Sequence, residues 1–366
     1  MGTISRFALT FLLNSLWQAP VIVLVASACS RVMQRLPSRY RHLLWVTTLA
    51  FCVLLPLLSL EGATSIISLW SPPPGAIAGN ATPASAEASI TSGWLTGFFR
   101  GRSQPLAFAP SVASVLAACY LLFLLYRMTR LWRAWLKMKE VSRTARARGI
   151  SASINAIAQQ CQTALGLKAA TILCSASVDA PLTFGAVRPV IILPERLLEA
   201  ASPELVTAAL GHEMAHIRRR DFMWNLIYEL AHLPLSYHRA ASLAMRRVRE
   251  TRELACDEMV AERLMSAKAY ARSLVRIASS LTVIERPAYS LGIFDANNLE
   301  ERIMKLMERR PRARLAKTVF IAALFALAAS SRAASAFSLS VGQDKGAGPG
   351  GVAIDRPSIR RHELLF

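Results

Sequence analysis

Four apolar runs constrain this chain more than any other feature. Phe7 to Ala28 carries no charge, and Asn14 and Gln18 are its main polar interruptions. Leu43 to Leu60 is uncharged, and Leu106 to Tyr126 is equally clean before the basic series Arg127, Arg130 and Arg133. Thr318 to Ser331 is shorter, but its alanine-rich flanks extend it to Phe337 across a single arginine. Each run offers roughly 18–22 residues, close to the ~20 a helix needs to cross ~30 Å of hydrocarbon. The first run is too long for the apolar core of a cleaved signal and is followed closely by another span, so it reads as a membrane helix. For the fourth, a buried core helix is the competing reading.

The chain of 366 residues is 53% hydrophobic and only 18% charged, yet carries a formal charge of +20. That combination does not suit an ordinary soluble globule. It fits either a membrane protein with basic cytoplasmic loops or an apolar protein that binds anions. The arginines decide between them, because they sit at span boundaries and along amphipathic helices without any nucleic-acid-binding motif. Direct nucleic-acid binding is therefore not expected. Arg31, Arg35, Arg39 and Arg41 crowd the first short loop, and residues 127–317 hold most of the remaining Lys and Arg. The loop from Glu61 to Pro105 is rich in Pro, Ser, Ala and Gly and has only Arg100 and Arg102. Positive residues stay inside, which places both termini and the 61–105 loop outside and everything between the third and fourth spans in the cytoplasm. The six cysteines lack CxxC spacing and read as small apolar residues in a reducing compartment.

These signals divide the chain into two spans with a basic cytoplasmic loop (1–60), an external loop (61–105), a third span (106–126) and a basic juxtamembrane helix (127–150). A soluble cytoplasmic domain (151–315), a fourth span (316–337) and a short external tail (338–366) follow. Trp132 and Trp135 suit the juxtamembrane helix to lipid head groups, with a plain solvated helix as the competing reading. Within the soluble part, Ser153 to Ala164 looks helical, and Thr171 to Cys174, Leu182 to Gly185 and Val190 to Leu193 look like short strands. Ser202-Pro203-Glu204 then opens a helix with an N-cap serine, proline at the first turn and an early acid. Phe222 to Tyr237 is apolar but interrupted by Glu229 and His232. It is too short and too polar to span, and is expected to be a buried or membrane-skirting helix.

The helix opened at Ser202 contains His212-Glu213-Met214-Ala215-His216. Residues four apart share a helix face, so both imidazoles can point at one ion while Glu213 lies beside it. The spacing is that of a zinc peptidase: two neutral histidines hold one Zn²⁺ per chain and the glutamate acts as general base on water. A catalytic zinc takes three protein ligands, and Asp221, Glu229, His232, His238, Glu250 and Glu253 are the downstream candidates. Asp221 would have to fold back from the end of the same helix. His232 and His238 flank Pro234 in an apolar stretch that suits core or capping roles. Glu253 is the best placed, on a second helix that can pack antiparallel to the first. Asp257 is one turn beyond, where it could accept the free N–H of a ligating histidine. The edge of the small sheet, at Thr183, Phe184 and Gly185, could pair with a peptide substrate.

HEMAHIRRRD, RELACDEMV and the preceding PLTFGAVRPVIILP, together with LLNSLWQAP and RHLLWVTTLAFCVLLPLLSL in the leading spans, resemble the membrane-bound zinc metallopeptidases of the BlaR/MecR antibiotic-sensing signal transducers. The resemblance covers most of residues 1–335. It implies a mainly α membrane protein: four transmembrane helices plus a cytoplasmic α+β gluzincin-type zinc peptidase domain with a small β-sheet, in the inner membrane. It implies His212, His216 and Glu253 as ligands, Glu213 as the base, and a cytoplasmic protein such as a DNA-binding repressor as substrate. Self-cleavage is known in the family, and two copies could associate as a homodimer. Residues 338–366 contain no acylatable serine motif and could not fold as a penicillin-binding domain. A stand-alone member is therefore expected, whose signal enters through the external loop, the tail or a partner. The alternative is a non-proteolytic receptor or scaffold that uses the zinc domain for partner contact, and the intact HExxH with Glu253 argues against it.

Overall fold

A computed structural model describes residues 3–60, 104–106, 109–145, 150–168, 170–200, 202–281, 296–308 and 313–341. The expected external loop and tail lie outside the described residues, apart from the short segments at 104–106 and 338–341. Among the described residues, four helices are long and apolar enough to cross a membrane: α1 (Thr3–Val32), α2 (Ser38–Leu58), α3 (Pro110–Thr144) and α11 (Ala313–Ser335). Leu106, read above as the start of the third span, lies instead in a strand, β1 (Gln104–Leu106), and the helix begins at Pro110. Proline at the first helical turn has no N–H to lose there and sets the start. The helix then continues unbroken through the basic stretch to Thr144, and the Trp132 and Trp135 rings meet at 5.0 Å on it.

The span helices share a core. Trp45 of α2 is buried and its indole N–H donates to Ser30 of α1 at 3.3 Å. Leu44, Leu49 and Leu55 of α2 pack with Ile22 and Ala26 of α1 and with Ala316, Ala323 and Leu327 of α11. The same core takes in Ala241, Ala244, Met245 and Val248 of α8 (Arg239–Arg263), a helix between the third and fourth long helices that runs along α2. At the opposite end, β1 pairs in parallel with β5 (Leu339–Val341). Buried Asn14 completes this arrangement: its amide N–H donates to the Leu339 carbonyl at 2.7 Å, and its amide oxygen accepts from the Leu339 N–H at 2.9 Å.

Between α3 and α11 lies the α+β part. α4 (Ala152–Leu165) is capped by the Ser151 side chain, which accepts from Ile154 N–H, and ends on left-handed Gly166. A three-stranded sheet follows, ordered β2 (Thr171–Ser175), β4 (Val190–Pro194), β3 (Leu182–Phe184), with β2 parallel and β3 antiparallel to β4. The central strand is the fully apolar one, and Ile191, Ile192 and Leu193 are completely buried. The turn out of β3 needs Gly185 at φ 99°, where a Cβ would stand 2.6 Å from the Arg188 carbonyl oxygen.

The short α5 (Glu195–Ala200) leads to α6 (Pro203–Arg219). Ser202 opens α6 through its backbone carbonyl, which accepts from Leu205 and Val206 N–H, and its side chain makes no capping bond. Next come α7 (Asp221–His232), a 3₁₀ turn at Leu233–Leu235, α8, α9 (Ala267–Leu281) and α10 (Ala296–Met307). One apolar cluster ties α6 to α4 and the sheet through Leu165, Ile191, Leu193, Leu210 and Met214. Another ties it to α8 and α9 through Ala208, Ala215, Cys256, Val260 and Tyr270. Gly211 lets the two helices approach, since a Cβ there would meet Leu264 of the residues following α8 at 2.5 Å. Clamped from both sides, α6 holds its histidines in a rigid setting.

Candidate metal centre

His212 and His216 lie one turn apart on α6, their rings 4.8 Å apart and perpendicular, and both are shielded from solvent. Glu253 comes to them from α8. Its Oε2 is 3.2 Å from His212 Nε2 and 3.6 Å from His216 Nε2. Two imidazole nitrogens and one carboxylate oxygen thus converge within a sphere that one small cation could fill, all within 4.8 Å of one another.

The outer nitrogens are held separately. His212 Nδ1 is 3.1 Å from Asp257 Oδ1 and 3.0 Å from the Tyr270 hydroxyl, which itself donates to the same carboxylate oxygen at 2.7 Å. Arg302 of α10 closes on Asp257 with a two-pronged bond, 2.6 Å to Oδ2 and 2.7 Å to Oδ1. His216 Nδ1 is 2.8 Å from Asp221 Oδ2, and Arg219 donates to both oxygens of that carboxylate at 3.2 Å. A carboxylate behind each Nδ1 keeps the proton there and leaves Nε2 as a lone-pair donor facing Glu253.

Electrostatics follow from burial and pairing. Burial by itself would lower both histidine pKa values, but Asp257 and Glu253 hold His212 above its ordinary value, and Glu253 and Asp221 hold His216 well above. Burial works against ionisation of Glu253 too, yet His216, His212 and Arg252 keep it well below the usual carboxylate range. Asp257 is depressed chiefly by Arg302 against the cost of burial, and Asp221 chiefly by His216. Burial pushes the Cys256 thiol up to about 11, so it stands protonated 3.3 Å from His216 Nδ1.

Glu213 is buried on the same helix, and the Thr183 hydroxyl of edge strand β3 donates to its Oε2 at 2.7 Å. The adjoining Phe184 packs edge-on against Phe222 at 5.2 Å, and Gly185 makes the turn. Of the three residues read as a peptide-pairing edge, Thr183 thus meets the carboxylate of the motif itself, and Phe184 meets the helix that follows it.

Of the other third-ligand candidates, Glu229 pairs with Arg249, Glu250 with Arg246 and Arg247, and His232 Nε2 lies 3.4 Å from Ser242. Tyr237 bonds Ser15 and His238 Nε2 donates to the Leu16 carbonyl, so both engage the first span rather than the cage. Asp221 does fold back, because Arg220 adopts the left-handed conformation (φ 56°) and turns the chain at once into α7. The place of that acid behind His216 escaped the sequence reading, which weighed it only as a ligand, as did Tyr270, Arg302 and the Arg252 that bonds both Glu253 and Asn225. Asp221 alone had a local signal, its place immediately after the helix-ending arginines. Tyr270 and Arg302 meet the cage from helices 58 and 45 residues away from their partners.

A buried cage of two imidazoles and a carboxylate, with a second carboxylate behind each imidazole, defines a candidate transition-metal centre of the metallopeptidase kind. The chain belongs to the BlaR1 peptidase M56 family, which it matches over residues 9–306. It is also similar to the methicillin resistance mecR1 proteins of Staphylococcus aureus and Staphylococcus epidermidis, at 25% identity over 112 residues. That stretch is 30% of this chain but only 19% of those relatives' length.

Proposed function

We propose that this protein is an integral membrane zinc endopeptidase that cuts a cytoplasmic protein, such as a transcriptional repressor, in signal transduction. The observation that carries the reading is the convergence of His212 Nε2, His216 Nε2 and Glu253 Oε2, with each outer Nδ1 already occupied by an acid. The donor set fits zinc: two neutral nitrogens and one oxygen leave a fourth tetrahedral position free. When bound, zinc supplies a Lewis acid that polarises a carbonyl and makes water nucleophilic near neutral pH.

The chain's own groups supply the remainder. Glu213 takes a proton from the attacking water and passes it to the departing amide nitrogen. Thr183 holds that carboxylate in place, and the β3 edge aligns an extended peptide beside it through main-chain hydrogen bonds. The arginine-rich loops support a cytoplasmic site, with both termini outside the inner membrane. A cytoplasmic substrate follows from that placement.

The test compares cells expressing wild type with cells expressing Glu213→Gln, by proteomics of new amino termini and by zinc content of the purified proteins. A cytoplasmic fragment present only with the wild type, with equal zinc in both, is the expected result. Identical peptide patterns with zinc retained would refute the peptidase reading.

A further inference from the structure

Helix α7 is inside out for a helix in water. Its inward face carries Asp221, Asn225, Glu229 and His232, which bond His216, Arg252, Arg249 and Ser242 respectively. Its outward face is Met223, Trp224, Leu226, Ile227 and Leu230, each 38–47% exposed. At 100° per residue those five form one continuous apolar arc. A water-facing helix shows the reverse pattern, whereas in lipid the polar groups must find partners inside the protein.

The hairpin that α7 forms with the start of α8 also reaches far along the spans. At its tip the Pro234 carbonyl accepts from the Tyr120 hydroxyl at 3.0 Å, and the Tyr237 ring lies 6.2 Å from Tyr120 and 6.3 Å from Phe123. Both partners sit within the third apolar run. Tyr237 and His238 bond Ser15 and the Leu16 carbonyl, well inside the span Ile4–Val32. Ser15 stands roughly 16 Å along the helix from Ile4 and 26 Å from Val32. The tip therefore lies at the depth of span residues, where Leu121, Leu122 and Leu125 of α3 are exposed like the apolar arc of α7.

We infer that residues 221–238 form a re-entrant hairpin that dips into the bilayer from the cytoplasmic side, with α7 lying against acyl chains. Its turn interrupts the α-helical backbone at membrane depth, tolerated because protein groups satisfy it: Tyr120 bonds the Pro234 carbonyl, and Ser236 and His238 bond back to Leu233 and Leu235. The same helix begins with Asp221, which holds His216. The metal cage is thus anchored directly to a lipid-embedded element and opens beside the membrane surface. This inference rests on the membrane placement of the four long helices and not on peptidase activity.

The experiment uses full-length Glu213→Gln protein in phosphatidylcholine vesicles containing a phospholipid with a diazirine on its acyl chain, with adducts mapped by mass spectrometry. Adducts on 223–230 at yields within about threefold of those on 121–125 are expected. Adducts on α3 with none on 223–230 would overturn the inference. So would modification of Met223 and Trp224 by hydroxyl radicals in the aqueous phase, or a cross-link between two copies at an Ile227→Cys position, which would mean that a second chain covers the face. Ile227→Leu, which keeps the face apolar, should retain the labelling and guards against a misfolded reference.

Discussion

Asp221 holds His216 across a helix break: the carboxylate is 2.8 Å from Nδ1, although left-handed Arg220 separates the two helices on which they ride. The break is what lets an acid only five positions downstream reach behind the ring. Asp221→Ala should leave the fold intact and weaken zinc binding by about 10–100-fold, as loss of an acid behind a ligating imidazole does. Chelator competition on the purified protein measures this, and unchanged affinity would show that Asp221 does not tune the cage.

The turn itself makes a second prediction. A non-glycine residue at φ 56° carries a steric cost that glycine escapes. Arg220→Gly should be neutral or raise stability by up to about 1 kcal/mol, while Arg220→Val should lower it by about 1–2 kcal/mol and reduce zinc loading with it. Thermal denaturation in detergent, with and without zinc, separates the two effects.

Asp257 and Arg302 are almost wholly buried and bonded to each other twice. Arg302→Met leaves the carboxylate without its cation and should cost about 3–5 kcal/mol. The double variant Arg302→Met with Asp257→Asn should recover part of that loss. Its zinc affinity should stay below wild type, because the strong acceptor behind His212 is gone. Recovery of stability without recovery of affinity is the signature to look for.

Thr183→Val removes the hydroxyl that holds Glu213 and keeps the side-chain shape. A hydrogen bond to a charged group contributes about 1.5–3 kcal/mol, so turnover should fall by about 10–100-fold with zinc content unchanged. A proportional loss of zinc would instead assign Thr183 to cage architecture.

The pH dependence has a definite sign. In the ion-free protein both histidines have pKa values above their ordinary 6.5. Their contribution to stability is therefore complete below that value and is lost as pH rises through the raised folded values. Zinc needs the same nitrogens deprotonated. Apparent zinc affinity should climb with pH over the range above 6.5, by about tenfold per unit for each proton displaced. Glu253 and Asp221 act in the opposite sense: both are depressed, and their stabilisation disappears only as pH falls through those low values. Zinc titrations from about pH 6 to 8.5 test this, and a flat profile would contradict it.

What the sequence revealed was set by local pattern. The four span helices followed from uninterrupted apolar runs, and the strands from short β-branched runs between turn residues. The histidines and Glu213 followed from helical spacing, and Glu253 with Asp257 from the same logic on a second helix. Contacts made only by tertiary packing left no such trace. Tyr270 and Arg302 look like ordinary surface-helix residues until α9 and α10 fold over the cage. Leu106, the first residue of the third run, lies in a strand that pairs with Leu339–Val341, a partner far away in sequence. α7 was read as buried or membrane-skirting, and its polar interruptions proved to be the face that the protein itself satisfies.

Asn14 gives the far end of the bundle a mechanical character. Its amide grips both backbone groups of Leu339, just past the end of α11. A strand ladder repeats its side-chain facing every two residues, about 6.6 Å, whereas a helix sliding past its neighbour regains its packing after one turn, about 5.4 Å. These two periods do not coincide. Axial displacement of the fourth helix therefore cannot land in a second position that satisfies helix packing, the strand ladder and the Asn14 amide together. Asn14 works as a detent, fixing α11 in a single axial setting against α1.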